Sequence, residues 1–280
     1  MRTRNPQEVA NSIRMRRQQH SGTFLVVEGR ADRLFFEKFV HQEQCVVIAA
    51  GGREPVAEIV STLVSSGFEG ILGVVDGDSA RIGVTPSDNL LLLDDPDLEM
   101  MLIQSTALDN VLLEFGSSGK LAKLQDDVRD LLIQAAIPIG CFRSLSLDMG
   151  LSLTFEGIRY PKFINLQSLE LDRHALVHEV KRRSQQANSE CGPVLAAIMS
   201  AEAGVISAWS ICCGDDIVSI LGLGLRKLFG SKRAGEVSYD TLVRSLRLAY
   251  SESEFRGTRI CQTLLDWANR NQKFVVLRVG

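Results

Sequence analysis

The residues of this 280-residue chain best suited to chemistry are carboxylates at the ends of apolar runs. Glu28 closes Phe24-Leu25-Val26-Val27, and Asp76 and Asp78 close Ile71-Leu72-Gly73-Val74-Val75. If both runs are parallel strands of one sheet, their carboxyl ends lie side by side, where open α/β sheets bind ligands. Three carboxylates in one crevice repel one another unless cations or protons neutralise them. A hard divalent ion such as Mg2+ suits that oxygen donor set.

Other groups gather around these three. Asp32 lies four residues after Glu28, in the expected first turn of a helix, where it either favours the exposed amides or helps to hold an ion. Asp76-Gly77-Asp78 can turn both carboxylates toward one ion if Gly77 relaxes the backbone, although the same tripeptide is also a common turn. The segment Asp94-Asp95-Pro96-Asp97-Leu98-Glu99 offers Glu99 to a second metal position with Asp95 or Asp97 near it. Simple N-capping of the next helix by Asp94 or Asp95 is the alternative. Two adjacent ions would activate a water and clamp a scissile phosphate. Arg30, Arg53 and Arg81 fall in the loops around the crevice, and Arg53, after the flexible Gly51-Gly52 pair, is the preferred phosphate clamp.

The elements that must position these groups follow from apolar spacing. Strands are expected at 24–27, 45–50, 71–75 and 89–93, separated by helices over 31–40 and 54–64, with Pro96 in the first turn of a helix over 97–104. That order predicts a small parallel sheet covered on both faces. After about residue 115 the texture turns helical, with periodic segments at 119–136, 172–183, 195–199, 217–228, 242–250 and 258–269. A short hairpin is expected within 141–155 and a terminal strand at 274–279. The expected organisation is therefore an α/β chain of three parts: a basic arm or helix over 1–21, a metal-binding domain over 22–115, and a mainly helical domain over 116–280 for partner, self-association or substrate contacts.

Composition narrows the class. Hydrophobic residues make up 45%, enough to fill a core, which excludes a disordered chain. A net charge of −3 gives no global attraction to nucleic acid, so local basic runs would have to supply it. Three are present: Arg14, Arg16 and Arg17; Lys181, Arg182 and Arg183; and Arg226, Lys227, Lys232 and Arg233. Each could equally be a solvated helix face. The aromatic residues form no interleaved stacking motif. The six cysteines show no metal-binding or disulfide spacing, and reduced, buried thiols are expected. No uninterrupted apolar stretch of membrane-spanning length and no apolar leader is seen, which predicts a soluble, cytoplasmic chain without a membrane role.

The segments Phe24-Leu-Val-Val-Glu28-Gly29-Arg30-Ala31-Asp32 and Gly73-Val-Val-Asp76-Gly-Asp78, with Gly51-Gly52 between them, resemble the Toprim domain. The nearer resemblance is to the overcoming-lysogenization-defect-like branch, especially the Toprim nuclease partners of ABC-type ATPases in bacterial anti-phage defence, as in the phage anti-restriction-induced system. The resemblance implies Mg2+ or Mn2+ at Glu28, Asp76 and Asp78, with Glu99 less securely placed, and phosphodiester cleavage of transfer RNA or DNA. It also implies a separate ATPase, since no GxxxxGK[ST] loop occurs in this chain. Gly214-Asp215-Asp216 stands where that branch commonly has Gly-His-Asp, so Asp215 replaces the histidine.

The function expected is a Mg2+-dependent endonuclease, possible as a homodimer. Two alternatives stand beside it. One is a Toprim-like interaction module with little catalysis. The other is a haloacid-dehalogenase-like phosphatase with Asp76 as nucleophile, for which Ala80 departs from the motif and Glu28 has no role.

Overall fold

Strand geometry follows from runs that are apolar at every position rather than at alternate ones. In the computed structural model, which describes residues 5–78, 83, 85–184 and 192–278, β1 (Thr23–Val27) and β3 (Ile71–Val75) are buried throughout. That pattern belongs to strands covered on both faces. The first unit of the chain, 1–98 with 251–280, is built on them.

Helix α1 (Pro6–Arg16) opens the unit, capped by the Asn5 side chain and burying Val9, Ala10 and Ile13. Then follow β1, α2 (Arg30–Phe36), β2 (Cys45–Ala49), α3 (Arg53–Ser65), β3 and β4 (Leu90–Leu92). The sheet is parallel throughout, in the order β2-β1-β3-β4. Phe24, Val26, Ile71 and Val75 point to one face and pack with Val9, Ile13, Val56, Ile59 and Leu63 of α1 and α3. Leu25, Val27, Leu72 and Val74, one residue out of phase, are buried on the other. Helices α2 and α3 link β1 to β2 and β2 to β3, and the three strands run parallel, so the carboxyl ends of β1 and β3 share an edge.

From α4 (Leu98–Gln104) the chain enters the second unit, residues 99–250, which is mostly helical. It comprises α5 (Thr106–Phe115), α6 (Ser118–Leu121), α7 (Val128–Asp148), a 3-10 turn (Tyr160–Lys162), α8 (Arg173–Arg183), α9 (Gly192–Ala203), α10 (Ala208–Ile211), α11 (Gly214–Arg226) and α12 (Tyr239–Ala249). The hairpin expected within 141–155 is absent, because α7 runs through Pro138 to Asp148 with Leu132, Ala136, Ile139 and Phe142 in the core. Among the described residues α7 is the one helix long and apolar enough to cross a membrane by length and composition, and 56% of its most apolar window is buried in the fold, as in a core helix of a soluble protein.

The chain then rejoins the first unit through α13 (Glu252–Arg256) and α14 (Arg259–Arg270). Phe255 stacks on Phe39 with ring centres 4.1 Å apart. Of the strand expected at 274–279, the described residues, 274–278, form a single antiparallel bridge, Val40 to Leu277. His41 donates its backbone N–H to Val276, and Arg278 donates to Phe39.

Candidate metal centre at the sheet edge

Glu28 is the first residue past β1, and its two ends do different work. Its backbone carbonyl accepts the N–H groups of Gly51 and Gly52, at 2.8 and 3.1 Å. Those glycines have φ of 99° and 143°, a left-handed region that side chains disfavour. The turn so made delivers Arg53 to the first position of α3. The Glu28 side chain reaches across to β3, where Oε1 accepts the backbone N–H of Asp76 at 2.9 Å.

Asp76 and Asp78 leave β3 along a backbone held by the loop after β4. Gly77 donates to the Asp95 carbonyl at 3.1 Å, and Asp78 donates to the Pro96 carbonyl at 3.3 Å. A Cβ at position 77 would lie 2.3 Å from the Asp95 oxygen, so only glycine fits between the two aspartates. Arg53 then reaches all three carboxylates. Nη1 pairs with Asp78 Oδ1 at 2.7 Å, Nη2 lies 4.0 Å from Asp76 Oδ2, and Nε lies 3.9 Å from Glu28 Oε2.

Electrostatics register how crowded this edge is. Burial, then the charges of Glu28, Asp32 and Asp97, push the Asp76 carboxyl up to about 9, and Arg53 offsets this only in part. Burial likewise raises Glu28, against the Asp76 amide and Arg53, which lower it. For Arg53, burial pulls downward, but Asp78, Glu28 and Asp76 prevail and hold the guanidinium above its ordinary range. The arrangement is short of positive charge, and its donors are carboxylate oxygens.

The residues singled out from sequence thus divide. Glu28, Arg53, Asp76 and Asp78 come together, with Asp32 and Asp97 close enough to act on them through charge. Asp32 accepts the Gly29 N–H at 2.8 Å, the bond of a helix-start acid. Asp94 caps a helix, though not the one that follows it: its oxygens accept the N–H groups of Arg259 and Ile260, at 2.6 and 2.7 Å, at the start of α14. Glu99 stands in the first turn of α4 and belongs to the second unit. Arg81, Ser79, Cys191, Arg2 and Arg4 lie outside the described residues.

Among the described residues no three His, Cys, Asp or Glu side chains are drawn close enough to hold an ion as they stand. Asp78 is paired with Arg53, and Glu28 gives Oε1 to the Asp76 amide, so two of the three carboxylates already have partners. The residues nonetheless fit Mg2+ by chemistry. Oxygen donors, burial and an Asp76 carboxyl held up at about 9 are what a hard dication would relieve.

Two sequence candidates have structural duties instead. Arg17 donates to the carbonyls of His20, Gly22 and Glu69 and lies over the Phe24 and Phe68 rings, so the N-terminal basic run spends one of its cations inside the fold. Asp216, in the Gly214-Asp215-Asp216 segment, is buried and accepts from Arg143 Nη2 at 2.9 and 3.1 Å and from the Tyr160 hydroxyl at 2.7 Å. Its oxygens are committed within the second unit. Sequence reading missed this network and its neighbour at Glu179. A lysine-arginine run beginning two residues after Glu179 was its trace in the sequence.

The chain matches no model of a known protein family, and no curated protein matches it in sequence.

Proposed function

We propose that this chain is a Mg2+-dependent endonuclease with a Toprim-like core. The observation that carries the reading is the convergence of Glu28, Asp76 and Asp78 on Arg53 at the carboxyl edge of β1 and β3. Glu28, Asp76 and Asp78 would hold the ion. Bound there, Mg2+ supplies charge stabilisation for a phosphodiester and a more acidic water. The chain's own residues do the rest. Glu28 keeps Oε1 on the Asp76 amide, which fixes the carboxylate and leaves Oε2 to take a proton from water. Arg53, released from Asp78, binds a phosphate oxygen through its planar fork. Asp32 steadies the turn after Glu28.

The Toprim resemblance supports transfer RNA or DNA as substrate, a separate ABC-type ATPase as controlling partner, and a cytoplasmic, anti-phage setting. Glu99 remains the candidate for a second ion. A two-fold dimer is the commonest assembly for such a chain. The test is to express wild type and Glu28→Ala, each with the product of the neighbouring gene, and to sequence new ends in RNA and DNA. Ends made only by wild type identify chemistry and substrate together. Identical end profiles under activating conditions reject the nuclease.

A second reading, a metal-free interaction module, is favoured by the 2.7 Å Arg53–Asp78 pair, which already neutralises part of the crevice. Calorimetric titration with Mg2+ separates the two: heat of binding lost in Asp76→Asn supports the metal centre, and no heat in wild type supports the module.

A further inference from the structure

Two carboxylates of the second unit are buried and paired with cations that are less buried than they are. Glu179 on α8 has a side chain only 2% exposed, yet its partners Lys162 and Arg182 are 44% and 41% exposed. Oε2 accepts from Lys162 Nζ at 2.9 Å and Arg182 Nε at 3.0 Å, while Oε1 accepts from Arg182 Nη2 at 2.7 Å and the Arg159 backbone N–H at 3.3 Å. Asp216 on α11, also 2% exposed, holds Arg143, which is 35% exposed and stacks over the Phe155 ring. The turn Tyr160–Lys162 joins the two networks, since Tyr160 donates to Asp216 and Lys162 to Glu179.

A buried carboxylate with both oxygens occupied is a costly way to gain stability, because two ions must give up water. What it achieves here is position. The long side chains of Lys162 and Arg182 are held at the carboxylate while staying partly in solvent, and the entropy normally lost when they grip an anion is already spent. Arg159, whose backbone N–H also bonds Glu179, is exposed and adds a third cation. Arg159, Lys162 and Arg182 thus outnumber the Glu179 charge that they surround, in a chain of net charge −3. Side-on pairing to Glu179 occupies Nε and Nη2 of Arg182, while Nη1 and two protons of Lys162 stay directed away from the carboxylate.

We propose that Arg159, Lys162 and Arg182 form a preorganised surface for the phosphate backbone of a nucleic acid, which binds the second unit there. This rests on the nucleic-acid reading proposed above, and it assigns the backbone contact to residues outside the carboxylate cluster. Contacts of this kind position a polynucleotide without reading its bases. The occupant has repeated phosphates, because fixed cations on separate elements match a chain of charges better than one ion.

The experiment is fluorescence anisotropy of the full-length protein in EDTA with a labelled RNA stem-loop and a labelled DNA duplex, over a range of salt. Arg159→Glu leaves both buried carboxylates paired and should fold with the wild-type unfolding temperature. Lys162→Gln removes a head group outright. Each variant is expected to weaken binding about tenfold, equivalent to about 1.4 kcal/mol. Lys162→Gln should also make the salt dependence shallower by about one contact. Wild type that binds neither probe, or Arg159→Glu that binds both as tightly as wild type, overturns the proposal. Displacement of the probes by equimolar inorganic phosphate overturns it too, by showing a site for the single ion. Adding Mg2+ to the same mixtures separates the two readings: binding without cleavage rejects the nuclease and leaves this surface standing, whereas cleavage with unchanged binding in the variants rejects the surface alone.

Discussion

The side chain of Glu28, at the end of β1, accepts the backbone N–H of Asp76, at the end of β3, at 2.9 Å. Neighbouring parallel strands are thereby tied at the edge where their acids emerge, and the tie limits how far the acids can separate. Repulsion is built into the fold rather than relieved by it. Functional constellations commonly carry such a cost.

Asp76→Asn should make the metal-free protein more stable at alkaline pH. The Asp76 carboxyl is pushed up to about 9, so the folded protein binds its proton more tightly than the unfolded chain does. The stability linked to that proton is complete below the ordinary carboxyl value of about 4 and is lost as pH rises toward 9. Asparagine cannot titrate and removes the loss. Urea unfolding in EDTA at pH 8 should show a gain of about 1–3 kcal/mol for the variant, with wild type and variant converging below pH 4. An equal difference at every pH contradicts the assignment.

Mg2+ should stabilise wild type by about 2.7 kcal/mol at a hundred times its dissociation constant. Arg53→Ala removes the cation that competes for Asp78 and should bind Mg2+ more tightly, yet cleave at least about a hundredfold more slowly for want of a phosphate contact. Thermal shift with Mg2+ and single-turnover cleavage measure the two effects independently. Weaker Mg2+ binding in this variant would show that Arg53 organises the carboxylates instead of competing for them.

Gly77→Ala should damage fold and metal binding together. The new Cβ would stand 2.3 Å from the Asp95 carbonyl oxygen, and both are backbone features with little freedom to move. Denaturant titration should show a loss of about 1–3 kcal/mol, the usual cost of overpacking. Mg2+ affinity should fall as Asp76 and Asp78 are displaced. A variant as stable as wild type would mean that the loop after β4 yields freely.

Glu179→Gln tests the buried network from the acid side. Hydrogen bonds from Arg182, ahead of those from Lys162 and the Arg159 amide, hold the Glu179 carboxyl down at about 2, against burial. A depressed carboxyl stabilises the fold above its unfolded value, near 4.3, and loses that contribution as pH falls toward 2. The variant should be less stable than wild type by about 1–3 kcal/mol at pH 7. The gap should close between pH 4.3 and 2, as followed by circular dichroism during chemical unfolding.

Sequence alone determined the sheet and the acids at its edge. Unbroken apolar runs such as 24–27 and 71–75 have few alternatives to buried parallel strands, and a period of strand, helix, strand forces their ends to one side. Glu28, Asp76 and Asp78 were legible for that reason, and so was Arg53 after two glycines. Tertiary structure decided what local pattern does not encode. The turn of Arg53 toward all three carboxylates depends on the φ of Gly51 and Gly52 and on a carbonyl of Glu28, a contact across two strands. Asp94 reads as a cap for the helix beside it, but it serves α14, far along the chain, because residues 251–280 return to the first unit. The short apolar run at 274–279 reads as a strand, yet its described residues find one bridge, at Val40. Glu179 looks like an ordinary surface acid in sequence, and Asp216 like part of a helix-entry motif; burial made them the fixed points for Lys162, Arg182 and Arg143. Periodicity reports which faces are apolar, whereas the partner of a polar group is chosen by chain segments that meet only on folding.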